Sequence, residues 1–577
     1  MPQTETEPIY KPPYIVQDGC LCEEIITRNG VTLIKLADFV PVLTAEITRD
    51  DGIGQTRLFR VKATHASSKP MPEVTVTAEE MIAAKWMLAK WGALGAPMPK
   101  HSVQSKICHA ILNTRSGVKQ EIIYQQTGWH KIGGEYCYLL PRADSPYTVE
   151  LTGKLTAYHL AEPCCDLSYM TGFLQADFAP KRVIYALLAL TFLTPLNHFL
   201  KAAGCEPKFV TALVGRSGQG KSTLTALFLS FFGTFRPAEL PMSFHDTANS
   251  ILANIYYLKD VLTCIDDFHP SGSYAEQDMK EIAQFLSRFY GDRIGRARLN
   301  TKVELQPSRP PTGNAIITAE YAPEISVSGS ARYFTIELRE HDVNFQKLEP
   351  FSRLAEQNML CGIMRTYVDW IKDKLLCSES GFPEMLRNQF AEKRSVYTTT
   401  LHGNHIHFHN RVPEMLAHLR IGFDFLMLFL TDSGAITNPA AEQSKSELDR
   451  ILIETVRTNA DLIQDQNPTA VFLEKLQTLL ESGMCYVLPK GSSDAVNKGF
   501  IGLADEQHYY LIANAIHPEV RKLCAEQGEH FTITKNQLIR QLADEGIIER
   551  FGTKNTTSIR MGAKTLHVIV IDKSRLQ

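Results

Sequence analysis

"FVTALVGRSGQGKSTLTALFLSFFG", residues 209–233, runs apolar, turns glycine-rich around a single lysine, and runs apolar again. Its centre, from Gly215 to Ser222, fits the pattern G-x-x-x-x-G-K-[ST], with a strand-like run before it and a helix-like run at 221–232 after it. Glycines let successive backbone N–H groups curl around phosphate oxygens, and the N-terminus of the following helix adds positive partial charge. Lys221 is placed to meet the β- and γ-oxygens and Ser222 to ligate magnesium. At average residue usage this pattern arises by chance about once per hundred chains of such length. Flanked by its strand and its helix, it reads as a site for ATP and Mg2+ held by Gly215, Gly218, Gln219, Gly220, Lys221, Ser222 and Thr223.

A phosphate cradle needs an acid at the end of a neighbouring strand to hold the metal. Forty-five positions after Lys221, "DVLTCIDDFHP" (260–270) supplies two. Asp266 suits the magnesium, and Asp267 suits the attacking water, which makes this a hydrolase pattern rather than that of a passive binder. Thr318, ending "NAIIT", is placed to reach the same water from the next strand. Transition-state charge calls for arginine. Arg332 in "SGSARYFTIEL" precedes a strand, where it can project into another subunit's site, and Arg411 in "NRVPEMLAHL" starts a helix, where a lid over the nucleotide would carry one.

The 577-residue length calls for about three or four domains, because a single core stops growing well before this size. With 44% hydrophobic and 21% charged residues the chain is ordinary globular protein, and a net charge of -3 means that any nucleic-acid contact must come from local patches. Twelve cysteines without one CxxC spacing suit free buried thiols in a reducing, cytoplasmic setting better than zinc or disulfides. The start "MPQTETEPIYKPPY" has no signal-peptide pattern, and "VIYALLALTFLTPLNHFL" (183–200), broken by Pro195, Asn197 and His198, reads as a buried core helix and not a membrane span.

Residues 1–165 mix short strand-like runs with a helical stretch at 78–95, giving an α+β module. From 170 to 345 strands at 209–214, 238–243, 260–265, 314–318 and 333–338 alternate with helices, the pattern of an α/β fold with a parallel sheet. Residues 346–435 are helical by period, and 436–577 end in a helix and two strands that suit a winged helix.

The densest basic stretch, "GDRIGRARLNTKVELQPSRPP" (291–311), carries Arg293, Arg296, Arg298, Lys302 and Arg309 in the pattern of a β-hairpin, and Arg296 and Arg298 alternate onto one face suited to a phosphate backbone. The last 47 residues hold eight Lys/Arg against four acids, a second candidate DNA contact. His402, His405, His407 and His409 in "HGNHIHFHN" lack companion Cys or acids and read as a loop rather than a metal site, and Trp129 reads as core.

Together, "TGWHKIGGEYCYLLP", the glycine loop, "CIDDFHP", "RIGRARL", "AIITAE", "SARYFTIEL" and the terminal module resemble a family of AAA+ ATPases of phages and mobile elements, the domain of unknown function 927 family, and in particular the MCM-like self-loading helicases of staphylococcal cassette chromosome elements. The resemblance runs from about residue 20 to the C-terminus. It implies an AAA+ P-loop core with a helical lid and winged helix, a hexameric ring, ATP hydrolysis between subunits, unwinding of DNA during element replication, and an element-encoded primase or polymerase as a further partner. By matched position it makes Lys221 and Ser222 the Walker A pair, Asp266 and Asp267 the Walker B acids, Arg332 a finger acting in trans, Arg411 a second sensor, and Arg296, Arg298 and Lys302 pore-lining. Asp267 stands where most AAA+ proteins have Glu, and Thr318 where Asn is usual. The other readings of the same site are a DNA-binding ATPase switch, such as an initiator or loader, and a regulatory NTPase.

Overall fold

The computed structural model describes residues 9–576 apart from 29, 116, 270–274, 296–304, 306, 323–330, 378–380, 407, 466–467, 493, 528–530, 532, 553 and 563. The chain divides into two compact units, Met1–Thr455 and Val456–Gln577. The boundaries expected at 165 and 345 therefore fall inside one body.

In the first unit, β1 (Tyr14–Gln17), β2 (Cys20–Thr27) and β3 (Gly30–Ala37) form an antiparallel sheet. Next come β4 (Phe39–Asp50), β5 (Gln55–His65) and β6 (Pro70–Thr77), which join β7 (Lys119–Tyr124) and β10 (Thr148–Val149) in a five-stranded sheet ordered β10-β7-β4-β5-β6. Burial alternates along β4, so its core face is carried by Phe39, Leu43, Ala45 and Ile47. The single helix expected over 78–95 is two, Ala78–Ala83 and Trp86–Trp91. The first is started by a capping box between Thr77 and Glu80 and stopped by Ala84 in the left-handed region.

The hairpin β8 (Gly128–Ile132) and β9 (Glu135–Leu139) fastens this module to the α/β core. Trp129, 1% exposed, donates its indole N–H to Pro195 O at 2.8 Å and its backbone N–H to Asp260 Oδ2 at 3.0 Å. Tyr138 donates to Asp260 O at 2.6 Å, and burial pushes the Asp260 carboxyl up to about 6.

The core sheet holds β11 (Val210–Val214), β12 (Leu262–Phe268), β13 (Asn314–Ala319) and β14 (Tyr333–Glu337) in the order β12-β13-β11-β14, all parallel. Strands covered on both faces are mostly apolar, and every residue of Val210–Val214 and Asn314–Ala319 is buried. The strand expected at 238–243 is not one. Pro237 and Pro241 cannot donate to a ladder, and a single bridge between Ser243 and Asp266 takes its place. The apolar run from Lys181 to Ala202 is almost wholly buried, as expected of a core helix. Helix Val412–Asp432 packs against its first part, Lys181–Leu193.

Arg293, expected among the cations of a basic hairpin, is instead 8% exposed and structural. Its guanidinium donates to Pro207 O at 2.6 Å, Gly313 O at 2.7 Å, Pro311 O at 3.2 Å and Asn314 Oδ1 at 3.1 Å. These groups lead into β11 and β13, so one side chain ties the entry ends of two strands. Arg309 is committed too, 2.8 Å from Asp51 and over the ring of Tyr256. Arg296, Arg298 and Lys302 lie outside the described residues.

In the second unit, β15 (Tyr486–Pro489), β16 (Phe500–Ala504), β17 (His508–Leu511), β18 (Thr557–Met561) and β19 (Lys564–Asp572) form a sheet ordered β15-β16-β17-β19-β18. Helix Lys535–Asp544 and the β18–β19 hairpin fall where a helix and two strands were expected, but β19 continues into a larger mixed sheet through β17. Leu538, Leu542, Ile548, Ile569 and Ile571 share its core with Phe472 and Ile516.

Removing the Arg293 fork strands several carbonyls at once, so Arg293→Ala should cost about 3 kcal/mol or more of stability, with Arg293→Lys recovering only part because an ammonium cannot serve a fork of acceptors. Thermal melts of the three proteins measure it, and equal melting temperatures would contradict the structural role.

Candidate nucleotide site

The loop leaves β11 at Val214 and turns at once. Gly215 donates its N–H to Ala319 O at 3.0 Å, and a Cβ at 215 would come within 2.7 Å of Leu338 O, so any side chain would push the loop off the sheet. Gly220 has φ 85° and caps helix Lys221–Leu229 without any side-chain hydrogen bond. The first N–H groups of that helix thus point into the cavity with no side-chain cap, the arrangement that receives phosphate.

That cavity, about 250 Å³, is lined by Ser217, Gly218, Gly220, Lys221, Ser222, Thr223, Asp267, Phe268, Thr318, Ala319, Glu320 and Phe345. Lys221 folds back, its Nζ donating to Gly215 O at 2.6 Å and Arg216 O at 2.9 Å. Burial pulls its ammonium below the usual range, opposed by Glu320, Asp266 and Asp267. Gln219 Oε1 is buried with no donor among the described residues, an orphaned polar atom beside the loop.

The acids stand where register puts them. β12 pairs with β13 as far as Ile265, then shifts before Phe268, and Asp266 and Asp267 occupy the irregularity. Asp266 Oδ1 accepts from Ser222 Oγ at 2.9 Å and from Thr318 Oγ1 at 2.5 Å. Thr318 Oγ1 in turn accepts the N–H of Asp267 at 2.8 Å. Its one proton is already given to Asp266, so the hydroxyl positions both acids instead of offering a hydrogen bond to water. Asp267 sits at φ 66°, a left-handed conformation costing roughly 1 kcal/mol for a residue of this type, and its carboxylate turns outward, 58% exposed, 3.3 Å from His245 Nε2.

Hard oxygens from Ser222 and Asp266 fit a magnesium ion, and an orphaned helix N-terminus with a lysine fits a polyphosphate. These residues would hold the two together, Asp267 being left free to act on water.

Sequence reasoning brought Lys221, Ser222, Thr223, Asp266, Asp267 and Thr318 to one place, and the structure does the same. It missed four neighbours. Glu320 follows β13 by one residue and pairs with His269 Nδ1 at 2.5 Å, His245 meets Asp267, and Phe345, 51% exposed, closes the cavity beside Gly220. The only signals in the sequence were position: His269 two residues after the acids and Glu320 two after Thr318.

Arg332 and Arg411 are not in this cavity. Arg332 O accepts the N–H of Val210 at the first residue of β11, the end opposite the loop. Five residues of strand separate the two ends, about 16 Å at the usual rise. Arg411, expected as a lid over the nucleotide, lies with Arg332 instead: both face Asp292 Oδ1, at 3.8 Å and 2.7 Å. Among the described residues no group of three His, Cys, Asp or Glu is arranged to hold a metal, though His407 lies outside them.

Over its whole length the chain has the fold of a solved helicase. The structure described as "SCCmec type IV Cch - active helicase" superposes with a TM-score of 0.59 at 14% identity, covering 99% of each chain, which bears out the resemblance read from the motifs. More distant are a JCV helicase bound to an inhibitor (TM-score 0.21, 14% identity, 36% of this chain and 64% of that one) and the apo NrS-1 C-terminal region (TM-score 0.25, 11% identity, 91% and 96%). No family model and no curated protein matches the chain.

Asn tolerates the left-handed region as Asp does and keeps the N–H that Thr318 accepts, so Asp267→Asn should fold and bind ATP as the parent does while hydrolysis falls about 100-fold or more. Binding of a fluorescent ATP analogue and phosphate release measure the two separately. Hydrolysis within a factor of two of the parent would remove Asp267 from the chemistry.

Proposed function

We propose that the chain is an ATP-driven DNA helicase of the AAA+ class, working as a homo-oligomeric, hexameric ring in the cytoplasm during replication of a mobile element. One observation carries this reading: the phosphate-binding loop and the arginines suited to complete it stand at opposite ends of the same sheet. A single copy cannot bring them together, so hydrolysis belongs to a junction between copies, as in a ring motor. The full-length likeness to a helicase fold supports it.

In this reading Lys221 and the loop N–H groups bind the β- and γ-phosphates, and Thr223 lies in the helix turn beneath them. Asp266, steered by Ser222 and Thr318, would bind magnesium, which supplies charge neutralisation to the phosphate oxygens. Asp267 orients and deprotonates the attacking water. Arg332 of one copy, with Arg411 beside it, meets the nucleotide of the next, in the roles of trans-acting finger and second sensor. Arg296, Arg298 and Lys302 face single-stranded or forked DNA, and the C-terminal module adds a winged-helix contact to DNA or to an element-encoded primase or polymerase.

A DNA-binding ATPase switch, an initiator or loader, uses identical site chemistry, and unwinding separates the two. Lys221→Ala should abolish ATPase activity and retain DNA binding. Arg296→Ala with Arg298→Ala should keep basal ATPase and lose strand separation on 3′- and 5′-tailed forks. Unwinding by that double variant at the parental rate would refute the pore assignment, and ATPase activity without unwinding by the parent protein would leave the switch.

A further inference from the structure

Helix Ala275–Asp292 ends at the face opposite the loop. There Arg332 lies flat across Gly291: a Cβ built at 291 would come within 2.3 Å of Arg332 Cδ and 2.5 Å of its Nε. No other residue fits at 291 while Arg332 keeps this path. The guanidinium then reaches Asp292 Oδ1 at 2.7 Å, and Arg411 shares the same carboxylate oxygen from 3.8 Å while its Nη1 donates to Gly291 O at 3.5 Å. The Arg332 side chain is 12% exposed, and its Nε has no acceptor among the described residues.

Two guanidiniums on one carboxylate leave a net positive charge, and the planar guanidinium fork matches an anion with several oxygens. The charge is felt nearby. Burial first, then Arg411 and Arg332, pull the His409 imidazole below its usual range.

We propose that Gly291 and Asp292 form a seat that sets Arg332 and Arg411 side by side as one anion-binding device for the phosphate chain of a nucleotide held by a second copy. The inference deepens the reading above and rests on it. Asp292 and Gly291 are positioning residues, acting through the arginines without touching nucleotide. The seat also joins two distant parts of the chain, the start of β14 and the start of helix Val412–Asp432, so that a shift of either moves both charges.

Full-length Gly291→Ala, Asp292→Asn, Asp292→Glu, Arg332→Ala and Lys221→Ala proteins test it, read by affinity for a fluorescent ATP analogue and by turnover at saturating ATP. Asp292→Asn and Gly291→Ala should bind ATP within about twofold of the parent and lose about tenfold or more in turnover, a loss confined to the transition state, with Asp292→Glu recovering most of it. Mixed with Lys221→Ala protein, whose seat is intact and whose loop is dead, Asp292→Asn should regain turnover above the sum of the two alone. Should Gly291→Ala fail to fold, the Asp292→Asn and Asp292→Glu pair decides. Parental turnover by Asp292→Asn, with recovery in the Arg332→Ala and Lys221→Ala mixture, overturns the seat and leaves the shared site standing. No recovery in either mixture overturns the shared site itself, and normal turnover with weakened DNA affinity would assign the seat to backbone phosphate instead.

Discussion

The parallel register of β11 with β13 and β14 is the constraint on which the rest depends. Because all four core strands run the same way, every residue that follows a strand gathers at one end and every residue that precedes one gathers at the other. The loop after Val214, the acids at the end of β12, and Thr318 and Glu320 at the end of β13 share the first end. Arg332 before β14, Arg293 before β13 and Asp292 share the second. The sheet thus separates the loop and its acids from Arg332 and Asp292, and in the function proposed above a second copy unites them.

At the first end the decisive contacts are short and few. Asp266 is held by two hydroxyls, and one of them, on Thr318, also fixes the backbone of Asp267 in a conformation that it would not adopt alone. The strain is modest beside what the surrounding sheet supplies, and it turns a carboxylate outward that a regular strand would have directed along the pleat. At the second end the device is the reverse: glycine removes a side chain so that an arginine can lie across the helix.

The loop and its acids were legible because their chemistry is local. Eight consecutive residues make the cradle, and an apolar strand running into Asp266-Asp267 announces itself. Core strands and the buried helix at 183–200 were legible from period and apolarity alone. What charge counting could not see was burial: Arg293 has the same letter as the cations around it, but four acceptors from two segments of the chain converge on it. Likewise Glu320 and His269 join the site through the register of β12 and β13, and His245 and Phe345 through a turn and a helix start, which no spacing rule records. Arg411 was read as a lid arginine over the nucleotide because it starts a helix in an all-helical segment, while tertiary packing takes it to Asp292. The strand expected at 238–243 failed on Pro241 within it and Pro237 just before it.

The central claim is that one copy's arginines complete the nucleotide site of another. Its most direct measurement is a structure of the assembly formed with a non-hydrolysable ATP analogue and magnesium. The account predicts the Arg332 guanidinium at hydrogen-bond distance, about 2.8 Å, from the γ-phosphate held by Lys221 of the adjacent copy. An assembly in which Arg332 faces solvent, or lies far from every neighbouring loop, would contradict it.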